Sequence, residues 1–359
     1  MKQKMFQTGM VRLKKGTLSL LLIVVITLLL LAMIEGVCHF VQVVSSFKPD
    51  RMIYERKHTQ YDPEIGWVNV PQLFVKDMYG TGKYLQTNSQ GFRNAQDFLG
   101  KLPKDKIRII CSGDSFTLGL GVSNDESWCQ QLTHLDSRLE TMNLGQGGYS
   151  VGQAYLLYQR KADQFEHQIH IFAFITDDVL MRNNKDFSGY QKPYFTLNDD
   201  QLVVHNIPVP KASYIMPWMA THRKILNELS IVKILSSVFK PRPISSEEEN
   251  HQMLLKMLET FKTRKDTALV AVFLPHLDDF DKLGKQSKRL RSFLHRELKQ
   301  QNIIFVDLFD DFGRLSKKQL NNMFNKDKHY SVVGNQFVSR LIHRQLQDLK
   351  VFDGARLNH

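Results

Sequence analysis

At 359 residues, with 42% hydrophobic and 23% charged residues, the chain has ordinary globular composition, which excludes a largely disordered protein and leaves room for one sizeable α/β domain with additions. Its formal charge of +12 would suit a nucleic-acid binder, but no basic stripe interleaved with aromatics occurs, and the basic residues are mostly spread among acids; nucleic acid is not an expected partner. Three cysteines, Cys38, Cys111 and Cys129, are too few and too oddly spaced for a disulfide framework or a metal site. A Cys111–Cys129 bond stays open as an alternative, but Cys111 falls in a strand pattern and reads as a buried free thiol.

The chain opens with a basic tail, residues 1–15, carrying Lys2, Lys4, Arg12, Lys14 and Lys15. From Gly16 to Ile34 no charged residue occurs. At ~1.5 Å per residue a helix over 16–34 would be about 28 Å long, enough for a hydrocarbon core of roughly 30 Å. The segment is therefore expected to be a single transmembrane anchor. The basic residues ahead of it put the N-terminus in the cytoplasm and everything after Glu35 across the membrane, in a periplasmic or other extracytoplasmic space. A cleaved signal peptide is the rival, but no small-x-small site follows the run, and Val37 precedes Cys38 where a lipoprotein signal has a small residue.

Residues 35–100 are rich in turn formers and aromatics and read as an extended lead-in. From residue 101 to about 350 short apolar runs alternate with helix-period segments, the pattern of βαβ units and a parallel sheet. The first strand is Ile107 to Cys111. Ser123 and Glu126 then have capping-box spacing, and a helix is expected to carry Trp128, Leu132, Leu135 and Leu139 on one face. A second strand runs through Met142 and Leu144, a helix from about Val151 to Gln164, and a third strand from Ile169 to Ile175. Six prolines interrupt 184–250, which reads as an irregular insertion with a few helical turns. The sheet resumes with Ala268 to Leu274, a basic helix near 283–300, a fifth strand Ile303 to Leu308 and a final helix from about Val333 to Leu349.

In open parallel sheets ligands bind beyond the carboxyl ends of the strands. That edge gathers Asp114 and Ser115 after the first strand, Gly145, Gly147 and Gly148 after the second, and Asp177 and Asp178 after the third. His276 follows the fourth, with Asp327 and His329 after the fifth. A serine hydroxyl is a poor nucleophile near neutral pH and needs a histidine to take its proton; a carboxylate that fixes the imidazole tautomer helps it do so. Ser115 as nucleophile, His329 as base and Asp327 as its acid fill these roles. His276, beside Asp278 and Asp279, is the rival base.

Gly113-Asp114-Ser115-Phe116-Thr117 resembles the first block of the SGNH/GDSL hydrolases. Asn143-Leu144-Gly145-Gln146-Gly147-Gly148 is similar to the second, and Asp327-Lys328-His329 followed by Gly334 to the last. The lead-in, with Gly66-Trp67 and Asn88-Ser89-Gln90-Gly91-Phe92-Arg93, is similar to that of bacterial membrane-anchored members of the cell envelope. The resemblance implies an α/β, flavodoxin-like three-layer sandwich on a parallel sheet of about five strands (the SGNH fold), here preceded by one transmembrane helix. It also implies an oxyanion hole from the amides of Ser115 and Gly148 plus a third-block Asn side chain. Two departures stand out. The family's acid lies three residues before the histidine, where this chain has Lys326, and Asp327 lies two before. The third-block Asn is replaced by Asp177, which therefore takes the third oxyanion position.

The expected activity is that of a serine esterase removing an acyl group, acetyl in the simplest case, from a cell-envelope carbohydrate through an acyl-serine intermediate. An O-acyltransferase using the same site and a degraded domain that only binds glycan are the alternatives. An acylated carbohydrate or other ester is the expected substrate, the membrane the partner of the N-terminal helix, and no cofactor or metal is expected; Asp177, Asp178 and His276 have no recognisable ligand spacing.

Overall fold

The computed structural model describes residues 21–34, 36, 58–187, 190–211 and 244–354. Residues 21–34 are helical with exposed side chains, and they belong to a different unit of the chain from the domain over 54–213 and 242–359. Among the described residues no helix is long and apolar enough to cross a membrane. The basic tail and residues 16–20 of the expected anchor lie outside the described residues, as does Cys38.

The domain is built on five parallel strands: β1 (Ile107–Ser112), β2 (Leu139–Asn143), β3 (Ile169–Phe174), β4 (Ala268–Phe273) and β5 (Ile304–Asp307). Their order is β5-β4-β3-β1-β2, all neighbours being parallel. This is a flavodoxin-like doubly wound order, whose direction reverses between β1 and β3. The strands are apolar because both faces are covered, and alternate residues serve alternate faces. Ile107, Ile109 and Cys111 join a core with Trp128, Leu132, Val338 and Ile342, while Ile110 points into the opposite core with Ala154, Leu254 and Leu294.

The helices used below are α1 (Ser115–Leu118), α2 (Trp128–Leu135), α3 (Val151–Ala162), α4 (Thr176–Leu180), α5 (Glu247–Lys262), α6 (Gly284–Gln300) and α7 (Val332–Asp348), beside other short helical segments such as Phe309–Gly313 and Lys317–Asn322. Helices α2 and α7 cover one face of the sheet and α3, α5 and α6 the other, completing three layers.

Several expectations need correction. The Ser123/Glu126 capping box exists, but it opens a 3-10 turn, Asn124–Glu126, and α2 starts only at Trp128. Leu139 begins β2 instead of extending the helix, and Leu135 is exposed. The insertion is more regular than its prolines suggested. It holds a hairpin of Tyr194–Asn198 with Gln201–His205 and the start of α5, capped by Ser246 and Glu249; residues 212–243 lie outside the described residues. The described part of the lead-in is no mere approach to the domain. Thr59–Asp62 pairs with Gly66–Asn69, and Ile65, Trp67, Phe92 and Phe98 are buried in the same core as α3. Cys111 and Cys129 are free and buried, and burial together with the neighbouring Cys129 pushes the Cys111 thiol well up.

Candidate active site

The chain leaves β1 through Gly113 and turns sharply into α1. Asp114 caps that helix, its Oδ1 accepting the Phe116 amide at 2.9 Å, as short carboxylates do at helix starts. Ser115 is thereby fixed at the sheet edge beside the β1/β3 reversal. Its Oγ lies 2.8 Å from His329 Nε2 and 3.2 Å from Asp114 Oδ2.

His329 follows β5 on a turn organised by Asn325, whose Oδ1 accepts the amides of Asp327 at 2.9 Å and His329 at 3.2 Å. Lys328 takes a left-handed conformation (φ 63°) within that turn, and its Nζ binds Asp278 at 2.8 Å, tying the loops after β4 and β5 together. His329 Nδ1 lies 3.1 Å from the main-chain carbonyl of Asp327. A carbonyl oxygen only accepts, so Nδ1 carries the proton and Nε2 of the neutral ring is the acceptor facing Ser115. Burial against Phe116, whose ring centre is 4.9 Å away, lowers the His329 pKa to about 4; the Asp327 carbonyl bond acts in the opposite sense.

Asp327, the expected acid, meets the imidazole through its backbone carbonyl, because the tight Asn325-centred turn folds the Asp327 main chain under the ring; its carboxylate is on an exposed residue and its charge favours the imidazolium. His276 is also at the site, edge-on to Phe116 at 5.6 Å. Its ring is engaged with the Asp278 amide at 3.4 Å and makes no bond to Ser115, and burial lowers its pKa.

The second block builds a support. Asn143 at the end of β2 donates from Nδ2 to the Thr117 carbonyl at 2.9 Å and accepts the Gly145 amide at 2.9 Å. Gly145 packs so closely on α1 that a Cβ there would lie 2.1 Å from the Leu118 nitrogen, so only glycine fits. Gly148 has φ 75°, and a Cβ on it would strike Phe187 at 2.4 Å; both conditions favour glycine. Among the described residues the amides of Ser115 and Gly148 donate to no acceptor.

Asp177 lies in the first turn of α4 and is half-buried, and no hydrogen bond joins it to Ser115 or Gly148. The neighbouring Asp178 is buried, accepts the Ile175 amide at 3.3 Å and pairs with Arg182 at 3.4 Å, so it closes the first turn of α4. Burial and the Asp114 carboxylate push Asp178 well above the usual carboxylate range, and burial raises Asp114 too, against the opposing charge of Arg182. Two carboxyls in that situation do not both ionise. Among the described residues no group of three or more His, Cys, Asp or Glu side chains is arranged to hold a metal.

Two residues that the chemistry-first reading left aside prove structural to the site. Arg93, fully buried, donates to the carbonyls of Leu118, Gly119 and Val122 and to Asn124 Oδ1, fastening the end of α1. Arg182 supplies the positive charge that acts on both Asp114 and Asp178. The former had a signal only in the motif around Asn88-Ser89-Gln90-Gly91-Phe92-Arg93; the latter had only its four-residue spacing from Asp178.

The sequence matches no protein-family model, and a search of curated proteins found no match. Solved structures do resemble it. A member of the lipolytic protein G-D-S-L family from Veillonella parvula is 15% identical, with a TM-score of 0.39, over 67% of this chain and 97% of that one. A putative lipolytic G-D-S-L protein from Desulfitobacterium hafniense is 15% identical with a TM-score of 0.41, over 67% and 100%. The lipase/acylhydrolase from Enterococcus faecalis is 13% identical with a TM-score of 0.40, over 67% and 96%. These likenesses are loose, so the chemistry is read from the chain's own geometry.

Proposed function

We propose that the protein is a serine esterase of the SGNH/GDSL type, cleaving acyl esters through an acyl-serine intermediate. The observation that carries this is the 2.8 Å contact between Ser115 Oγ and the Nε2 of an imidazole whose Nδ1 proton is held by a carbonyl. In the reaction His329 Nε2 takes the hydroxyl proton as Ser115 Oγ attacks the ester carbonyl, then returns it to the leaving alkoxide. Water repeats the sequence to release the acid. The amides of Ser115 and Gly148 suit the developing oxyanion, where each aligned donor is worth roughly 2.7–4 kcal/mol.

A cell-envelope glycan ester, acetylated in the simplest case, is the substrate that fits an enzyme held outside the cytoplasm. That location rests on the apolar run 16–34 behind five basic residues. The direct test is hydrolysis of p-nitrophenyl acetate by the full-length protein. Wild type turns it over and Ser115→Ala does not; equal turnover by both would end the assignment. His329→Ala should be nearly as damaging as Ser115→Ala because the two act as a unit, whereas a crippling His276→Ala beside a mild His329→Ala would name the other histidine.

A further inference from the structure

A cavity of about 180 Å³ opens between the lead-in hairpin and α3. It is smaller than the roughly 300–1,000 Å³ of pockets for drug-sized ligands and suits a single ring. Its floor is apolar, with Phe92, Leu144 and Leu157, and amide side chains stand around it.

The charges beside it are unevenly satisfied. Arg160 is paired with Asp62 at 2.8 Å and Glu64 at 3.7 Å. Lys161 has no carboxylate partner among the described residues; its ammonium sits 5.5 Å from the centre of the Phe92 ring and reaches only the Gln90 carbonyl, at 3.5 Å. It is half-buried, and the loss of water together with the charge of Arg160 lowers its pKa against the opposing charge of the Asp62 carboxylate, which is itself paired with Arg160. A cation so placed gains from an anion more than an exposed lysine would. Two exposed amide side chains, Gln60 and Gln164, stand at the rim of the cavity. The Gln60 amide has no hydrogen bond among the described residues, and Gln164 uses only its Nε2, on the Arg160 carbonyl at 3.0 Å. Donors and acceptors of this kind complement sugar hydroxyls.

We propose that this cavity binds one unit of an acidic saccharide, its carboxylate or phosphate held by Lys161 and its hydroxyls by Gln60 and Gln164. Gln146 also lines the cavity, and its Oε1 accepts the Gly147 amide at 2.9 Å, so the site adjoins the glycine loop that flanks Ser115.

The test is calorimetric titration of the full-length protein, in a zwitterionic detergent, with glucuronate, glucose 6-phosphate, glucose and inorganic phosphate. At least one acidic sugar should bind about tenfold or more tightly than glucose and than inorganic phosphate, the gain expected of one charge-assisted contact; the preferred acidic sugar identifies the anion. Lys161→Met and Lys161→Gln should both erase that advantage while melting as wild type does, and Ser115→Ala should keep it. Equal binding of glucose and both acidic sugars would overturn the proposal, as would binding of phosphate alone. So would an advantage that survives both lysine variants, or one lost in Ser115→Ala, which would place the ligand at the serine. Because binding is the readout, the outcome is independent of whether the protein cleaves esters.

Discussion

Replacing Asp327 by asparagine separates this site from a carboxylate triad. In a Ser-His-Asp triad the carboxylate fixes the imidazole tautomer, and its conversion to the amide costs about 10⁴ in kcat because the wrong tautomer results. Here the Nδ1 proton is held by the Asp327 carbonyl at 3.1 Å, a main-chain group that the Asp327→Asn variant would retain. The substitution also neutralises an exposed carboxylate whose charge favours the imidazolium. Near 4 Å in water such a charge is worth about 1 kcal/mol, less at greater distance. The expected loss in kcat/KM is therefore about fivefold, and less than about tenfold. The assay is initial-rate hydrolysis of p-nitrophenyl acetate by wild type, Asp327→Asn, Asp327→Ala and Ser115→Ala. A loss beyond about a thousandfold in Asp327→Asn, approaching Ser115→Ala, would refute the carbonyl assignment and restore the carboxylate to the triad.

Three further predictions follow from the same geometry. His329 must be neutral to accept a proton and its pKa is lowered to about 4, so kcat/KM should rise with pH through about 4 and be level by pH 6; an acid limb near 6.5, the ordinary histidine value, would contradict the buried imidazole. Arg93→Met removes the buried guanidinium from the carbonyls of Leu118, Gly119 and Val122, and urea unfolding should show a loss of roughly 3–5 kcal/mol; unchanged stability would mean that α1 is held by other contacts. Asp177→Asn removes a partly exposed carboxylate from the edge where negative charge develops. Turnover of p-nitrophenyl acetate should increase several-fold, for about 1 kcal/mol of relieved repulsion, and an unchanged rate would place the side chain away from the oxyanion.

Four of the five strands were legible because each is a short apolar run, their observed spans differing from the expected ones by about a residue at most ends; β2, Leu-Glu-Thr-Met-Asn, starts three residues earlier than expected. The approach of Ser115 and His329 has a related origin. Sheet topology brings the ends of β1 and β5 to one edge, where the two side chains lie 2.8 Å apart and His276 shares the edge without reaching the serine. The direction in which a main chain turns is harder to read. Nothing in Asp327-Lys328-His329 says that the Asn325 side chain pulls the turn so that the Asp327 carbonyl reaches the ring. Leu139 was misassigned because its spacing from Trp128, Leu132 and Leu135 also fits a helix; Asp136 ends α2 in an extended conformation, and β2 follows at once. The buried Arg93 was missed as a brace because a basic residue in a turn-rich segment looks like solvated surface, and only the fold brings it to the carbonyls at the end of α1.

The central claim is that Ser115 is an activated nucleophile, and covalent labelling by a fluorophosphonate followed by mass spectrometry of the digested protein tests it most directly. Wild type should carry one phosphonyl adduct, on the peptide containing Ser115, formed slowly or not at all in His329→Ala and absent in Ser115→Ala. An unlabelled wild-type protein that is folded, or an adduct that forms equally well without His329, would contradict the account.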